Sequence, residues 1–199
     1  MTFVVNEIFN SITYIIPIGT AKDCYLVDCG DIEKIIEQGW SIRGVLLTHS
    51  HFDHIYGLNR LIEEFPDTLI YTNQEGKKGL INVKWNFSRY HAEVEDFIFS
   101  KMENVRIIEE GLQELAGNIK VYVVFTPGHD PSCISYVIGN QLFTGDSYIP
   151  GLKTVTIFPR SNKKKAAESL VQLQQLERKY KYTICAGHLL ETDYGTRIS

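Results

Sequence analysis

The chain has 199 residues, 44% of them hydrophobic, with a formal charge of -4 at pH 7 and a pI near 5.9. This length can bury a full core and favours one domain over 1–199, while the acidic balance gives no global attraction to nucleic acid or to an anionic membrane. No apolar run reaches membrane-spanning length, and Met1-Thr2-Phe3-Val4-Val5-Asn6-Glu7 lacks the basic and long apolar parts of a signal peptide, so a cytoplasmic protein with neither nucleic-acid nor membrane partners is expected.

In chain order, Phe3 to Ile8, Ile12 to Ile18 and Cys24 to Asp28 are short runs rich in β-branched and aromatic residues, parted by turn residues at Asn10-Ser11 and from Gly19 to Asp23. They predict a strand meander. Asp31 is the expected N-cap of a short helix from Glu33 to Gln38, stopped by Gly39, and Arg43 to Thr48 reads as a buried strand.

Directly after that strand stand His49, His51, Asp53 and His54. Imidazole and carboxylate are the usual zinc ligands, and alternating positions on an extended loop can turn toward one centre. Three of the six histidines fall in this run, which sets it apart from a polar turn with coincidental histidines.

Ile55 to Glu64 carries Ile55, Leu58, Leu61, Ile62 and Phe65 at helical spacing, and Thr68 to Thr72 returns as a strand. Residues 73–104 mix glycines and asparagines with Trp85, Phe87, Tyr90, Phe97 and Phe99, and read as an insertion or lid. Strands are expected again at Val105 to Ile108, Ile119 to Phe125, Cys133 to Ile138 and Gln141 to Thr144, the last two joined by the hairpin signal Gly139-Asn140. Ser161 or Asn162 caps a helix over Lys163 to Tyr180, with Leu170, Leu173 and Leu176 on one face and Glu168 placed to pair with Lys164. Thr183 to Ala186 is a last strand. The four cysteines form no C-x-x-C pair and are expected as buried, reduced thiols.

His129, Asp146 and His188 each follow a glycine just beyond a predicted strand. Singly, each reads as an ordinary turn residue. Jointly with the first run they gather five of the six histidines at strand ends, where open sheets place chemistry.

The H-x-H-x-D-H run, the single His, the single Asp and the final His, in that order, resemble the metallo-β-lactamase-fold hydrolase superfamily, and most of all its glyoxalase II-type members. The resemblance extends from Phe3 to about Leu190. It implies an α/β fold, a four-layer αββα sandwich of two mixed β-sheets with outer helices. It also implies two divalent metal ions, zinc in the first place with iron or manganese as alternatives. His49, His51 and His129 would hold the first ion, Asp53, His54 and His188 the second, and Asp146 would bridge them. A metal lowers the pKa of bound water from about 15.7 to about 7. The implied reaction is attack by that hydroxide on a thioester or related acyl bond of a small molecule, with Asp53 and Asp146 in catalytic roles and no Ser or Cys nucleophile. Asp53 would orient the hydroxide or pass its proton.

Asp146 and His54 separate the chain from zinc β-lactamases proper, and His51 stands where flavodiiron-type relatives place a Glu. Long glyoxalase II enzymes carry a helical C-terminal domain that contacts glutathione; this chain stops at Ser199, and Ser147 to Lys153 departs from their usual continuation, so glutathione specificity is not implied. A phosphodiesterase or nuclease, a mononuclear iron oxygenase of the persulfide dioxygenase kind, and a non-catalytic metal-binding domain are the competing readings, and a homodimer is left open. His91 is expected on the surface or lid, touching substrate only if the lid folds inward. Lys153 is expected as a solvated loop lysine, and Tyr148 and Trp85 stay open as substrate contacts.

Overall fold

Residues 2–92 and 94–189 are described by a computed structural model; Met1, Glu93 and residues 190–199, including the expected end of the domain, lie outside the described residues. The first sheet runs β1 (Thr2–Val5), β2 (Ile12–Ile18), β3 (Asp23–Val27), β4 (Ser41–Leu46), β5 (Leu69–Thr72) and β6 (Val105–Ile107), in that spatial order. The β1–β3 meander is antiparallel and β3 through β6 are parallel. The crossovers carry α1 (Glu33–Ile36), α2 (Leu58–Glu64) and α3 (Gln74–Gly79). The second sheet has the order β11-β10-β9-β8-β7, from β7 (Gly111–Leu115), β8 (Ile119–Phe125), β9 (Ile134–Ile138), β10 (Gln141–Gly145) and β11 (Thr183–Ala186). Its strands are antiparallel except for β10 and β11, which are parallel because α4 (Lys163–Tyr180) carries the chain back between them.

Strand side chains alternate between faces, and the alternation sorts the core into layers. Ile12, Tyr14 and Ile16 of β2 and Tyr25 and Val27 of β3 meet Val121, Val123, Tyr136 and Phe143 of the second sheet. Ile15, Cys24 and Leu26 point the other way, onto Ile35, Leu58 and Leu61 of the helices. On the far side, Val137 and Leu142 pack beneath Leu173 of α4. Two sheets face to face, each backed by helices, form the αββα sandwich. Burial of side chains such as Leu58 and Leu61, both fully enclosed, stabilises by roughly 1.5–3 kcal/mol each. Buried tyrosines tie the sheets by polar tips as well: the Tyr14 hydroxyl donates to Ala186 O at 2.8 Å and that of Tyr136 to Leu47 O at 2.7 Å.

The expected elements are present with adjustments: β4 spans Ser41–Leu46 rather than Arg43 to Thr48, and the stretch read as an insertion or lid opens with α3. β1 ends at Val5 because the Asn6 side chain bonds Ser11 and Thr13, and Phe9 and Asn10 turn the chain with positive φ. Asp31 does not cap α1; its carboxylate accepts from the Glu7 amide at 3.0 Å, from Lys34 at 2.5 Å and from the Tyr56 hydroxyl, and the helix is a single turn ending at Ile36. α2 begins at Leu58 rather than Ile55, since a 3₁₀ turn over Phe52–His54 takes up the preceding residues. β7 was not anticipated: Gly-Leu-Gln-Glu-Leu is a polar edge strand with only Leu115 buried, so it lacks an apolar signal. α4 begins and ends as expected, with Asn162 accepting from the Lys165 amide at 3.0 Å, and Lys164 lies 4.0 Å from Glu168. Cys24, Cys29 and Cys133 are buried free thiols, and Cys185 is buried too. Among the described residues no helix is long and apolar enough to cross a membrane.

Candidate metal centre

The ends of β4, β8, β10 and β11 deliver the candidate residues to one edge of the sandwich. After β4 the chain stays extended to His51 (φ -69°, ψ 147°), then the 3₁₀ turn swings Asp53 and His54 back toward His49. Two of the neighbouring glycines are required by space. A side chain at Gly128 (φ 146°) would run into the backbone of Ala166 at the start of α4, where Asn162 N and Gly128 O are 2.7 Å apart. A methyl at Gly187 would fall on Asp146 Oδ1, 3.0 Å from His54 Cε1.

The structure brings all seven sequence-predicted residues together. Ligand-type atoms of His49, His51 and His129 lie within 4.8 Å of one another, as do those of Asp53, His54 and His188, and those of His49, His54 and Asp146. His51 Nδ1 is 3.0 Å from His129 Nε2, and His54 Nε2 is 3.3 Å from His188 Nε2. Asp53 Oδ2 is 3.3 Å from both His54 Nε2 and His188 Nε2. Asp146 divides itself: Oδ1 lies 3.3 Å from His188 Nε2 and 3.5 Å from His54 Nε2, while Oδ2 lies 3.5 Å from His129 Nε2.

The outward nitrogens decide what the inward ones can do. His129 Nδ1 is 2.9 Å from Val155 O and His188 Nδ1 is 2.9 Å from Phe9 O. A carbonyl only accepts, so each Nδ1 carries its proton and each neutral ring turns a lone pair inward. His54 Nδ1 likewise donates to Asp28 Oδ2 at 2.9 Å, and His49 Nδ1 lies 3.1 Å from Thr48 Oγ1. His51 is reversed, with Nε2 3.7 Å from Asp130 Oδ2 and Nδ1 inward. His54 Nε2 and His188 Nε2, 3.3 Å apart, must share either a proton or a metal ion, because two neutral rings would oppose lone pairs there. His49 Nε2 and Asp146 Oδ1 are buried without hydrogen-bond partners. Orphaned atoms in a set of imidazoles and carboxylates, with the outer nitrogens of His49, His54, His129 and His188 hydrogen-bonded and that of His51 facing Asp130, fit a divalent metal centre.

The electrostatics agree. Burial opposes charge on His54, but Asp53 and Asp28 outweigh it and hold the ring well above its ordinary pKa. Burial likewise opposes a negative Asp146, yet His188 and His54 hold it well below the carboxylate range. The carboxylates draw positive charge into the centre. His49 goes the other way, kept well below the usual histidine value by burial and then by His54 and His51, as suits a neutral ligand.

A cavity of about 340 Å³ opens above the centre. His51, Asp53, His129, Asp146 and His188 form its floor; Phe9, Phe87, Tyr90, His91, Val155 and Phe158 form its walls. His91 lines the cavity beside Phe87 and Tyr90, and its ring lies 5.0 Å from that of Phe9. Trp85, Tyr148 and Lys153 do not line it. Trp85 stacks on Arg160 at 3.9 Å, Tyr148 donates to Glu177 at 3.1 Å beneath α4, and Lys153 is exposed. Sequence reasoning missed Asp28, Asp130 and Arg160. Asp28 accepts from Thr48 N and Thr48 Oγ1, both at 2.7 Å, besides His54. Asp130 accepts from Ser132 Oγ at 2.6 Å and lies 3.4 Å from Arg160 Nε. The available signals were an aspartate ending the strand beside β4 and an aspartate adjoining His129.

A family model described as "Metallo-beta-lactamase superfamily" matches residues 9–188. The hydroxyacylglutathione hydrolase of Buchnera aphidicola subsp. Acyrthosiphon pisum (strain APS) is 28% identical over 134 residues, which cover 65% of this chain and 44% of that protein. The chain thus matches less than half the length of that curated relative. Among solved structures, BLEG-1 B3 metallo-beta-lactamase superposes with a TM-score of 0.83 at 20% identity, covering 95% of this chain and 91% of that one. The structure of TTHA1623 in a di-iron-bound form gives 0.79 at 23% identity, covering 96% and 93%. At these identities the likeness is one of fold.

Proposed function

Because the chain belongs to the metallo-beta-lactamase superfamily, we propose that it is a metal-dependent hydrolase that cleaves a thioester or related acyl bond of a small molecule. In this reading His49, His51 and His129 would hold one divalent ion and Asp53, His54 and His188 a second, with Asp146 placed to serve both. The observation that carries it is the division of Asp146, one carboxylate oxygen toward His54 and His188 and the other toward His129. Zinc suits a site of imidazole and carboxylate; iron and manganese are the alternatives. Divalent ions held there supply Lewis acidity for a carbonyl oxygen and acidify a water toward neutral pH.

The protein's own groups do the rest. Hydrogen bonds from the outer nitrogens to Val155 O, Phe9 O and Asp28 hold the rings in one tautomer and orientation. Asp53 lines the cavity floor within 3.3 Å of His188 Nε2, where its carboxylate can take or return a proton from a group lying in the cavity. The aromatic walls exclude water and so strengthen every charge interaction on the floor. The name of the curated relative supports the thioester side of the reading.

Metal content and a panel of a thioester, a lactone and a phosphodiester test the proposal together. Two ions per chain, with acyl cleavage lost on chelation and restored by metal, is the expected result. One iron per chain with oxygen consumption would overturn it in favour of the oxygenase, and cleavage of the phosphodiester alone in favour of phosphoryl chemistry.

A further inference from the structure

We propose that the substrate is a neutral acyl compound whose apolar chain or aromatic ring lies between the walls of the cavity, and that the protein selects against glutathione conjugates. This rests on the hydrolase reading for the reacting bond but on separate residues for the selection.

The walls are built onto the candidate centre. The Phe87 ring stands edge-on to His51 at 4.7 Å and packs on Phe158 at 4.7 Å, and Phe158 is in turn 5.5 Å from both His51 and His129. Phe9 joins the floor through its carbonyl, which accepts from His188, and through its ring, which packs on His91. An acyl group whose carbonyl reaches the floor must lie against these rings.

Backbone conformation marks the same two residues. Phe9 (φ 54°) and Phe87 (φ 66°) are both left-handed, a genuine outlier for bulky side chains that persists only where the surroundings over-determine it. Those surroundings are visible. Asn86 donates to Gly79 O and Phe97 O, and its own carbonyl accepts from Phe52 N at 2.7 Å, clamping the turn that carries Phe87 to the turn that carries Asp53. Phe9 and Asn10 (φ 53°) are the central pair of the turn from β1 to β2, closed by Ser11 N to Ile8 O at 3.2 Å, and that turn and the Asn86 clamp each set one ring against the cavity. Phe9 remains 60% exposed, so its ring is available to a ligand.

Charge supplies the exclusion. Among the described residues no lysine or arginine lines the cavity. Arg160 does not line the cavity; its Nη2 and Nε pair with Glu75 at 2.9 Å and Asp130 at 3.4 Å, leaving Nη1 buried without a partner, and Arg89 pairs with Asp96. A glutathione moiety would bring carboxylates against walls of rings that offer them no lysine or arginine among the described residues, and an unpaired charge is costly to desolvate. An uncharged chain meets no such penalty. Past Phe9, Tyr90 and His91 it would enter an adjoining hollow of about 440 Å³ against Ile8, Phe52 and Val94.

The test uses the metal-loaded full chain and one series of thioesters with a neutral leaving thiol, from acetyl to hexanoyl and phenylacetyl, beside a hydroxyacyl thioester of glutathione. Uncleavable amides of the same acyl groups are titrated in parallel by calorimetry. Burial of each added methylene is worth about fourfold, so kcat/KM is expected to rise on the order of 100-fold from acetyl to hexanoyl, with the amides tightening in step. The glutathione thioester should trail hexanoyl. Phe87→Ala should cut the gain per methylene to about twofold in both measurements. Cleavage without dependence on chain length, or fastest on the glutathione conjugate, overturns this proposal and leaves the hydrolase reading standing. Chain-length-dependent amide binding without cleavage of any ester overturns the hydrolase reading and supports the selection, and absence of both overturns the two together.

Discussion

Asp28→Asn changes one atom and isolates the role of the group behind His54. Asp28 accepts three hydrogen bonds, from Thr48 N at 2.7 Å, Thr48 Oγ1 at 2.7 Å and His54 Nδ1 at 2.9 Å. An amide offers one oxygen for these three donors. If its nitrogen faces Thr48 N, two donors collide in a buried place, which costs about 1–3 kcal/mol and loosens the loop that carries His49. If its nitrogen faces His54, the imidazole must move its proton to Nε2, and the lone pair aimed at Asp53, Asp146 and His188 is lost. Either arrangement should weaken the His54 group. Loss of a partner behind a ligating histidine typically costs 10–100-fold in metal affinity, about 1.4–2.7 kcal/mol. The assay is competition of the metal-free protein against a chromophoric chelator, with two sites fitted separately and circular dichroism monitoring the fold. At least one of the two fitted affinities should fall by that factor, and both should fall if the loop carrying His49 loosens. Two ions bound by D28N as tightly as by the unaltered protein would refute the reasoning.

Gly187→Ala places a methyl on Asp146 Oδ1 and 2.9 Å from Gly145 C; displacing the shared carboxylate by about 1 Å should cost roughly 100-fold in turnover, checked by kinetics alongside metal content. His51→Ala and Asp146→Ala should each abolish metal-dependent turnover while far-ultraviolet circular dichroism stays unchanged, because both residues lie beyond strand ends; full activity in both would discard the site. Metal at 100 times its dissociation constant should stabilise the chain by about 2.7 kcal/mol, raising Tm by roughly 5–10 °C at this size, and a melt indifferent to chelator would count against a resident ion. Burial raises the Asp31 carboxyl, but hydrogen bonds from Lys34, Tyr56 and the Glu7 amide outweigh it and hold it below its ordinary value. A depressed folded-state pKa contributes stability above the unfolded value, about 3.9, and loses it as pH falls through the folded one. Asp31→Asn should therefore cost more stability at pH 7 than at pH 3 in urea unfolding, and an equal cost at both would refute the assignment.

The parts legible in the chain are those encoded by local pattern. Period-2 alternation and β-branched runs mark β2, β8 and β11 to within a residue, and an Asn cap with a leucine face marks α4 from Lys163 to Tyr180. The polar edge strand β7 carries no such signal, because its pairing with β8 supplies what its side chains do not. Asp31 has the chemistry of a cap, yet its neighbours in space outcompete the helix for its carboxylate. His91 looks like a surface residue until the Asn86 clamp sets its segment beside the cavity.

Metal chemistry was written in residue type and spacing: three histidines and an aspartate within six positions, and three more candidates placed after glycines at strand ends. By itself the chain determined which side chains could bind and which strands would carry them, since ligand chemistry and hydrophobic period are local properties. Only the tertiary structure decided that Asp146 faces two groups at once, that carbonyls of Phe9 and Val155 set the tautomers, and that aromatic walls with no lysine or arginine among the described residues stand above the floor. The partners in those contacts lie between 17 and 179 positions apart in sequence, and no local pattern records a distance that packing alone closes.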